Sequence, residues 1–486
     1  AGFDDLSLHD YGIEAPGISL RESLAETGES RVVRWRPGEA YLYSNVGPVA
    51  AAYAVERASG RPYAEYVRER IFEPLGMASA TFALPPDVRA SLATSYEADG
   101  ITVLPATNPV DWPTGSISLA PRDLAPLIQL FLNRGSYRGQ ALLRPESIER
   151  MERPATALGA RQGLAVGYGL GLEIMALDGR VFYGHSGAID GFSSYLGYLP
   201  DAGLGYAVSI SSANDEALVA MIGLIDSYLT RELPTPLAPP AAPIDPVRLE
   251  ALAGYYELAT PSSVSYTAVS QSVTGLQRVA YRDGALGVSG MLGTPKPLIP
   301  MGPALFRQET DPVATVAFAK DADGADRLQL KSRSLRRIPA WAAWSRIVGA
   351  VLVLLGTLSS VLFALVWVPR WRFGGLRGAP HLSVRAWPLL AALCFAAILV
   401  QLLTIPESSY GYIARYGQPT VWSIGLFGLT LLFAGCALAG AVQVVRSRRW
   451  AIRRGVWLHS AIVSALMLLT LGYLASFGVI GVMTWR

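Results

Sequence analysis

Hydrophobic positions change their spacing three times along this chain. Through residue 233, helical and strand periods alternate. Val46–Ser59 reads as a helix, with Ser44 and Asn45 as its cap and Gly60 as its stop. Tyr63–Ile71 predicts a second helix and Pro121–Asn133 a third, with Leu124, Leu127, Ile128 and Phe131 on one stripe. Tyr168–Met175, Val181–Tyr183, Ser193–Leu199 and Gly205–Ser211 read as strands, and Leu218–Leu229 as a closing helix. The mixture predicts an α/β (α+β) globular domain over residues 1–233.

Pro234–Pro246 is a proline-rich linker, expected to be extended and semi-rigid. Residues 247–338 then turn to Val, Tyr, Thr and Leu. Val313–Ala319 and Leu328–Lys331 flank Asp321-Ala322-Asp323-Gly324, a hairpin signal, and predict a small all-β domain. From Ile347 the pattern becomes continuous. Ile347–Val368 is an uncharged run of about 22 residues, roughly 33 Å as a helix, which matches a bilayer core. Trp387–Ile405, Thr420–Val445 and Val456–Thr484 repeat it, so four transmembrane helices are expected.

The loops between these runs orient them. Arg370, Arg372, Arg377 and Arg385 follow the first run, and Arg446, Arg448, Arg449, Arg453 and Arg454 follow the third. The loop from Pro406 to Pro419 has Arg415 against Glu407. The positive-inside rule places the first and third loops in the cytoplasm and the domain at residues 1–233 outside. Lys331, Arg333, Arg336, Arg337 and Arg346 dissent, and are expected to meet lipid headgroups. The expected location is a bacterial plasma membrane, crossed several times. A net charge of +3 gives no argument for a nucleic-acid partner. Cys394 and Cys436 lie inside apolar runs, which excludes a disulfide framework and cysteine metal sites in the domains before the membrane. No metal or organic cofactor is expected.

Two motifs carry candidate chemistry, Tyr43-Ser44-Asn45 and His185-Ser186-Gly187. Serine acyl transfer needs a nucleophile, a base and donors for the oxyanion. Tyr43 suits the base if cations lower its pKa, and Asn45 offers an amide to a substrate carbonyl. His185-Ser186-Gly187 is expected in an edge strand, where small neighbours admit a substrate backbone. There Ala188 N–H is a candidate oxyanion donor, His185 a polar or cationic group beside the base, and Ser186 a donor to a substrate carboxylate. Ser44 reads as a cap or spacer. A Ser-x-x-Lys nucleophile is absent: three residues before Lys296, Lys320 and Lys331 stand Gly293, Ala317 and Leu328.

The stretch Arg36–Asn45 resembles the serine β-lactamase and penicillin-binding-protein-like family of the class C type. So do Ile71–Met77, Gly115-Ser116 with Arg122-Asp123-Leu124, and Gly184–Gly187 with Asp190-Gly191-Phe192. The blocks stand in family order over residues 1 to about 230, and Leu252–Tyr256 looks like the opening of a small β-domain appended to such hydrolases. The resemblance implies a β-lactamase/transpeptidase-like fold and acyl-serine chemistry of a carboxypeptidase, esterase or β-lactamase. It implies Tyr43 as base, Asn45 as a polar wall, and His185-Ser186-Gly187 in the usual Lys-Thr-Gly place. The family's Ser-x-x-Lys lies N-terminal of the Tyr motif, and Ala1–Asp5 looks like a segment part-way into the domain, so a truncated start is expected.

The expected function is a membrane-anchored, extracytoplasmic serine hydrolase acting on a small-molecule or peptide acyl substrate, this chain as given being inactive. A rival is a pseudoenzyme or sensor that binds peptidoglycan-like peptides. A small transporter is disfavoured by spans lacking charge at mid-depth.

Overall fold

In the computed structural model, residues 2–155, 157–189, 191–234, 236–376, 381–405 and 409–486 are described. Ala1, Asp190, Thr235, Arg377, Pro406 and Glu407, which figure in the expectations above, lie outside them. The chain divides into two compact units. One comprises residues 1–260, 275–338 and 407–413, and the other residues 261–274, 339–406 and 414–486.

The first unit begins with the α/β domain expected over residues 1–233. Helix α1 (Val46–Ser59) ends at Gly60, whose φ of 69° supplies the left-handed C-cap. Its entrance corrects the expected cap: neither Ser44 nor Asn45 bonds the first turn, because both side chains are engaged elsewhere. The expected helix Tyr63–Ile71 is regular through Val67 and then widens into a π-turn over Arg68–Phe72. That turn delivers Phe72, Leu75 and Met77 into a core with Val67, Leu130 and Tyr137. Helix α2 (Leu124–Leu132) follows a 3-10 turn at Pro121–Asp123.

Five antiparallel strands form a meander: β1 (Gly167–Tyr168), β2 (Glu173–Leu177), β3 (Arg180–Ile189), β4 (Phe192–Leu199) and β5 (Leu204–Ile210). Helix α2 covers one face with Ile128 and Phe131, the latter stacked on Tyr198 at 5.3 Å. Helix α3 (Asp215–Thr230) covers the other through Leu218 against Tyr195 and Val208. It leaves Val219, Leu224 and Tyr228 exposed.

Residues 234–245 carry no regular element among those described. Helix α4 (Pro246–Leu252) then leads into a closed antiparallel barrel of eight strands. These are β6 (Gly254–Leu258), β7 (Gln277–Arg282), β8 (Ala285–Gly290), β9 (Lys296–Pro300), β10 (Leu305–Arg307), β11 (Val316–Lys320), β12 (Asp326–Leu330) and β13 (Arg333–Ile338). Alternating inward residues, Tyr256, Val279, Val288, Phe306, Phe318, Leu328 and Leu335 among them, fill it, and Leu249 of α4 joins this core.

In the second unit, four helices are long and apolar enough to cross a membrane among the described residues. They are Ala340–Arg372, Leu382–Leu403, Val421–Arg446 and Arg454–Ser476. The first, at 33 residues, is roughly 50 Å long and overruns a bilayer core of about 30 Å. Its ends carry Trp341 and Trp344 on one side and Arg370, Trp371 and Arg372 on the other. The fourth stops at Ser476, eight residues short of the expected Thr484, because Gly478 and Gly481 adopt φ of 73° and 70°. Small residues bring the helices together: a Cβ on Gly356 would lie 2.7 Å from Leu466. A helix over Ser265–Thr274 also belongs to this unit, with Ser272 Oγ 2.6 Å from Tyr473 Oη and Arg346 donating to the Ser272 carbonyl. The expected all-β stretch is thus interrupted by a helical insertion between β6 and β7.

Candidate active site

The Tyr43 segment is fixed from below by the chain's first residues. Ser44 Oγ donates to the Asp4 carbonyl at 2.7 Å, and Asn45 N–H donates to Asp5 Oδ1 at 2.8 Å. Asn45 Nδ2 donates to Tyr11 Oη at 2.6 Å, and Tyr11 in turn donates to Asp5 Oδ2 at 2.9 Å. Asn45, expected as a substrate-facing amide, is therefore tied into a half-buried network with Asp5 and Tyr11.

His185, Ser186 and Gly187 lie on β3, which is an inner strand and not an edge. Its Asp178–Gly179 turn has φ of 44° and 75°, the type I′ hairpin geometry, so Leu177 and Arg180 form a hydrogen-bonded pair. Alternation from that pair points the peptide groups of residues 180, 182 and 184 at β2, and those of 186 and 188 the same way. But β2 ends at Glu173, opposite Gly184, while β4 pairs with β3 as far as Ile189. The peptide groups of Ser186 and Ala188 thus face an open edge. The edge expected from sequence is real for this half of the strand alone. Gly184 marks the transition: a Cβ there would lie 2.2 Å from the Leu196 carbonyl oxygen.

The two motifs meet. The rings of Tyr43 and His185 are 6.1 Å apart, and Tyr168 stands 6.0 Å from Tyr43. Tyr168 Oη is 2.6 Å from His185 Nε2, and His185 Nδ1 is 2.5 Å from the Ser186 carbonyl oxygen. A carbonyl only accepts, so Nδ1 carries a proton; in the neutral ring Nε2 then accepts from Tyr168. Ser186 Oγ donates to Glu173 Oε1 at 3.2 Å.

The electrostatics run opposite to the expectation. Burial raises the Tyr43 phenol above its ordinary value, and the charged groups that raise it further, Asp5, Glu173 and Asp111, are all anionic. Burial pushes Tyr41 up to about 12, with Glu173 adding to it, and raises Tyr168 as well. Asp5 and Asp111 are themselves raised, chiefly by burial. Nothing here draws a proton off Tyr43. Sequence reasoning missed Tyr168, Glu173, Tyr11 and Asp111, which belong to no motif; Asp5 was visible only within the resembling Ala1–Asp5 stretch. Among the described residues no group of three or more His, Cys, Asp or Glu could hold a metal ion.

Tyr43, on a helix-entry loop, thus faces a half-open strand carrying His185 among small residues. The family profile described as Beta-lactamase matches residues 1–228, and this part of the chain belongs to that family. A D-aminopeptidase of Brucella abortus is 28% identical over 195 residues, covering 39% of this chain and 36% of the relative. A beta-lactamase-like protein of Homo sapiens is 30% identical over 239 residues, covering 46% and 44%. The chain thus spans less than half the length of these relatives. Among solved structures, the octameric penicillin-binding protein homologue from Pyrococcus abyssi aligns with a TM-score of 0.37 and 22% identity, covering 69% of this chain and 75% of that one.

Proposed function

We propose that the protein is a membrane-anchored, extracytoplasmic serine hydrolase that cleaves peptide, ester or lactam bonds through an acyl-serine. The observation that carries this reading is the charge imbalance around Tyr43. A phenol and three carboxylates gather at the junction of the two motifs, and among the described residues no cation acts on the phenol. A Ser-x-x-Lys supplied from outside this sequence would bring both missing parts. Its ammonium would lower the Tyr43 pKa by the opposite-charge effect, and its serine would be the nucleophile. Tyr43 would take the serine proton as the Oγ–carbonyl bond forms and return it to the leaving group as the scissile bond breaks. Ala188 N–H, on the open edge, would hold the oxyanion. The anionic surround suits a substrate bearing an ammonium group, and the D-aminopeptidase relatives favour a peptide of D-amino acids.

The cationic loops support the orientation. Arg370 and Arg372 end the first helix and Arg385 lies in the first turn of the second, while Arg446, Arg448, Arg449, Arg453 and Arg454 stand where the third gives way to the fourth. The test is to expose the full-length gene product to a fluorescent penicillin or fluorophosphonate and map the modified residue. Labelling of a serine in a Ser-x-x-Lys, lost in Tyr43→Phe, is expected. Full turnover in Tyr43→Phe would remove Tyr43 from the base role. A second reading is favoured by the absence of Ser-x-x-Lys from all 486 residues: a pseudoenzyme that binds peptidoglycan-type peptides. Reversible peptide binding without covalent labelling would select it.

A further inference from the structure

The segment that carries Tyr43 has little backbone bonding of its own. Among the described residues, no backbone–backbone hydrogen bond engages residues 40–44. Both peptide groups of Tyr41 are instead satisfied by the barrel. Tyr41 N–H donates to Ser334 Oγ at 2.8 Å, and Thr260 Oγ1 donates to the Tyr41 carbonyl oxygen at 3.0 Å. Upstream, Trp35 Nε1 donates to the Ala259 carbonyl at 3.2 Å.

The barrel side of this clamp is itself fixed. Ser334 Oγ donates to Gln329 Oε1 at 2.8 Å, Gln329 Nε2 donates to the Lys331 carbonyl, and Ala259 N–H donates to the Ser334 carbonyl. Ser334, Gln329 and Thr260 are all buried. Gly159 of the hydrolase domain lies flush on Gln329, where a Cβ would come within 2.7 Å of Cγ. Leu164, Val166 and Ala176 pack on Ala314 and Ala317 of the barrel, so the two domains share a core. Beside the clamp, a cavity of about 170 Å³ bordered by Trp35, Glu39, Gln329 and Ser334 leaves the loop room to shift. Hydrogen bonds, more than packing, therefore hold it.

Tyr41 and Tyr43 are two residues apart and share one ring neighbour. Both rings stand against Tyr168, at 6.1 and 6.0 Å, and Tyr168 bonds His185. A shift of the Tyr41 peptide thus moves Tyr43 relative to His185. We propose that the barrel is a positioning device for the Tyr43 loop, with Thr260 and Ser334 as its positioning residues. The role given to Tyr43 rests on the hydrolase reading; the clamp does not.

Two measurements separate these. Hydrogen–deuterium exchange is followed across residues 36–45 in the intact membrane-embedded chain, for the wild type, Thr260→Val, Thr260→Ser and Ser334→Ala. Thr260→Val removes the hydroxyl at nearly constant volume; Thr260→Ser keeps it. Exchange in this segment is expected to quicken about 5- to 30-fold in Thr260→Val and Ser334→Ala, and to return toward wild type in Thr260→Ser, with the barrel strands unchanged. Unchanged exchange at residues 36–45, or equal loosening throughout the barrel, overturns the clamp. The acylation rate of the full-length gene product at saturating fluorescent penicillin is then expected to fall by a similar factor in Thr260→Val, with the half-saturating concentration unchanged. If the wild type is not acylated at all, the hydrolase reading fails while the exchange result still decides the clamp. If acylation is unaffected by a loosened loop, the positioning role is refuted.

Discussion

Replacing Asp111 by asparagine should stabilise the chain, and by an amount that grows with pH. Asp111 is 5% exposed and accepts a hydrogen bond from Thr114 Oγ1 at 2.8 Å. That hydroxyl also lies 2.8 Å from the Asp111 carbonyl oxygen, so it keeps an acceptor whichever way the new amide turns. What the substitution removes is a carboxylate whose pKa is raised by burial and by Asp5. A raised pKa means that the folded state binds more protons than the unfolded state between the two values. The group's penalty is absent below the ordinary carboxylate value, about 3.9, and stability is lost as pH climbs through the folded value. One carboxylate can impose a slope of at most about 1.4 kcal/mol per pH unit. With a urea dependence of about 2 kcal/mol/M, that is a midpoint change of up to roughly 0.7 M per pH unit. Urea unfolding of the detergent-held chain, wild type against Asp111→Asn from pH 4 to 8, should show the variant ahead at neutral pH. The gap should narrow as pH falls below the folded value and vanish only near the ordinary carboxylate value. A gap that is independent of pH, or that widens on acidification, would refute the picture of an uncompensated buried acid. In a full-length product carrying a Ser-x-x-Lys, the neutral-pH gap should shrink, because the lysine would offset the charge.

Three further outcomes are expected. Gly184→Ala forces its methyl into the Leu196 carbonyl, 2.2 Å away in a paired strand, and should cost at least about 3 kcal/mol; an unchanged urea midpoint would contradict the β3–β4 geometry. Tyr168→Phe frees His185 Nε2 and should slow acylation of the full-length product about tenfold, equivalent to about 1.4 kcal/mol, without lowering its melting temperature; an unaltered rate would remove Tyr168 from the site. An impermeant maleimide on intact cells should label Leu237→Cys, at a position 95% exposed, and spare Arg449→Cys, and the reverse pattern would invert the proposed topology.

Some elements were legible because a single residue type enforces them. Helix α1 has the bounds read from sequence, since Gly60 alone could take the left-handed end. The four apolar runs announced themselves by composition, though the fourth overran: hydropathy continues past Gly478 while the backbone does not. Strand β3 was read in two pieces, a strand at Val181–Tyr183 and an edge strand at His185-Ser186-Gly187, which the fold joins into Arg180–Ile189. The Gly-His-Ser-Gly that follows has no alternation of its own and is held by its register with Phe192–Leu199. Helix Ser265–Thr274 was missed because its Ser-, Thr- and Val-rich sequence is a weak helix former, and Tyr473 and Arg346, far off in sequence, provide its partners.

The site divides in the same way. Tyr43 and His185 sit in compact motifs, and the fold brings their rings together. The groups that set the chemistry do not. Asp5, Asp111, Tyr168 and Glu173 are scattered over nearly 170 positions and converge only through the meander and the network beneath Asn45. That convergence changes what the motifs mean. Read alone, Tyr43 was a base awaiting a cation; in the fold it is a phenol whose pKa is raised first by burial and then by three carboxylates. Such a group cannot act as a base near neutral pH unless something positive sits beside it. Under the proposed hydrolase reading, a Ser-x-x-Lys from outside this sequence would supply both that cation and the nucleophile. On that reading one element would account for the absent serine and offset the anionic excess, and covalent labelling of the full-length product distinguishes it from reversible peptide binding.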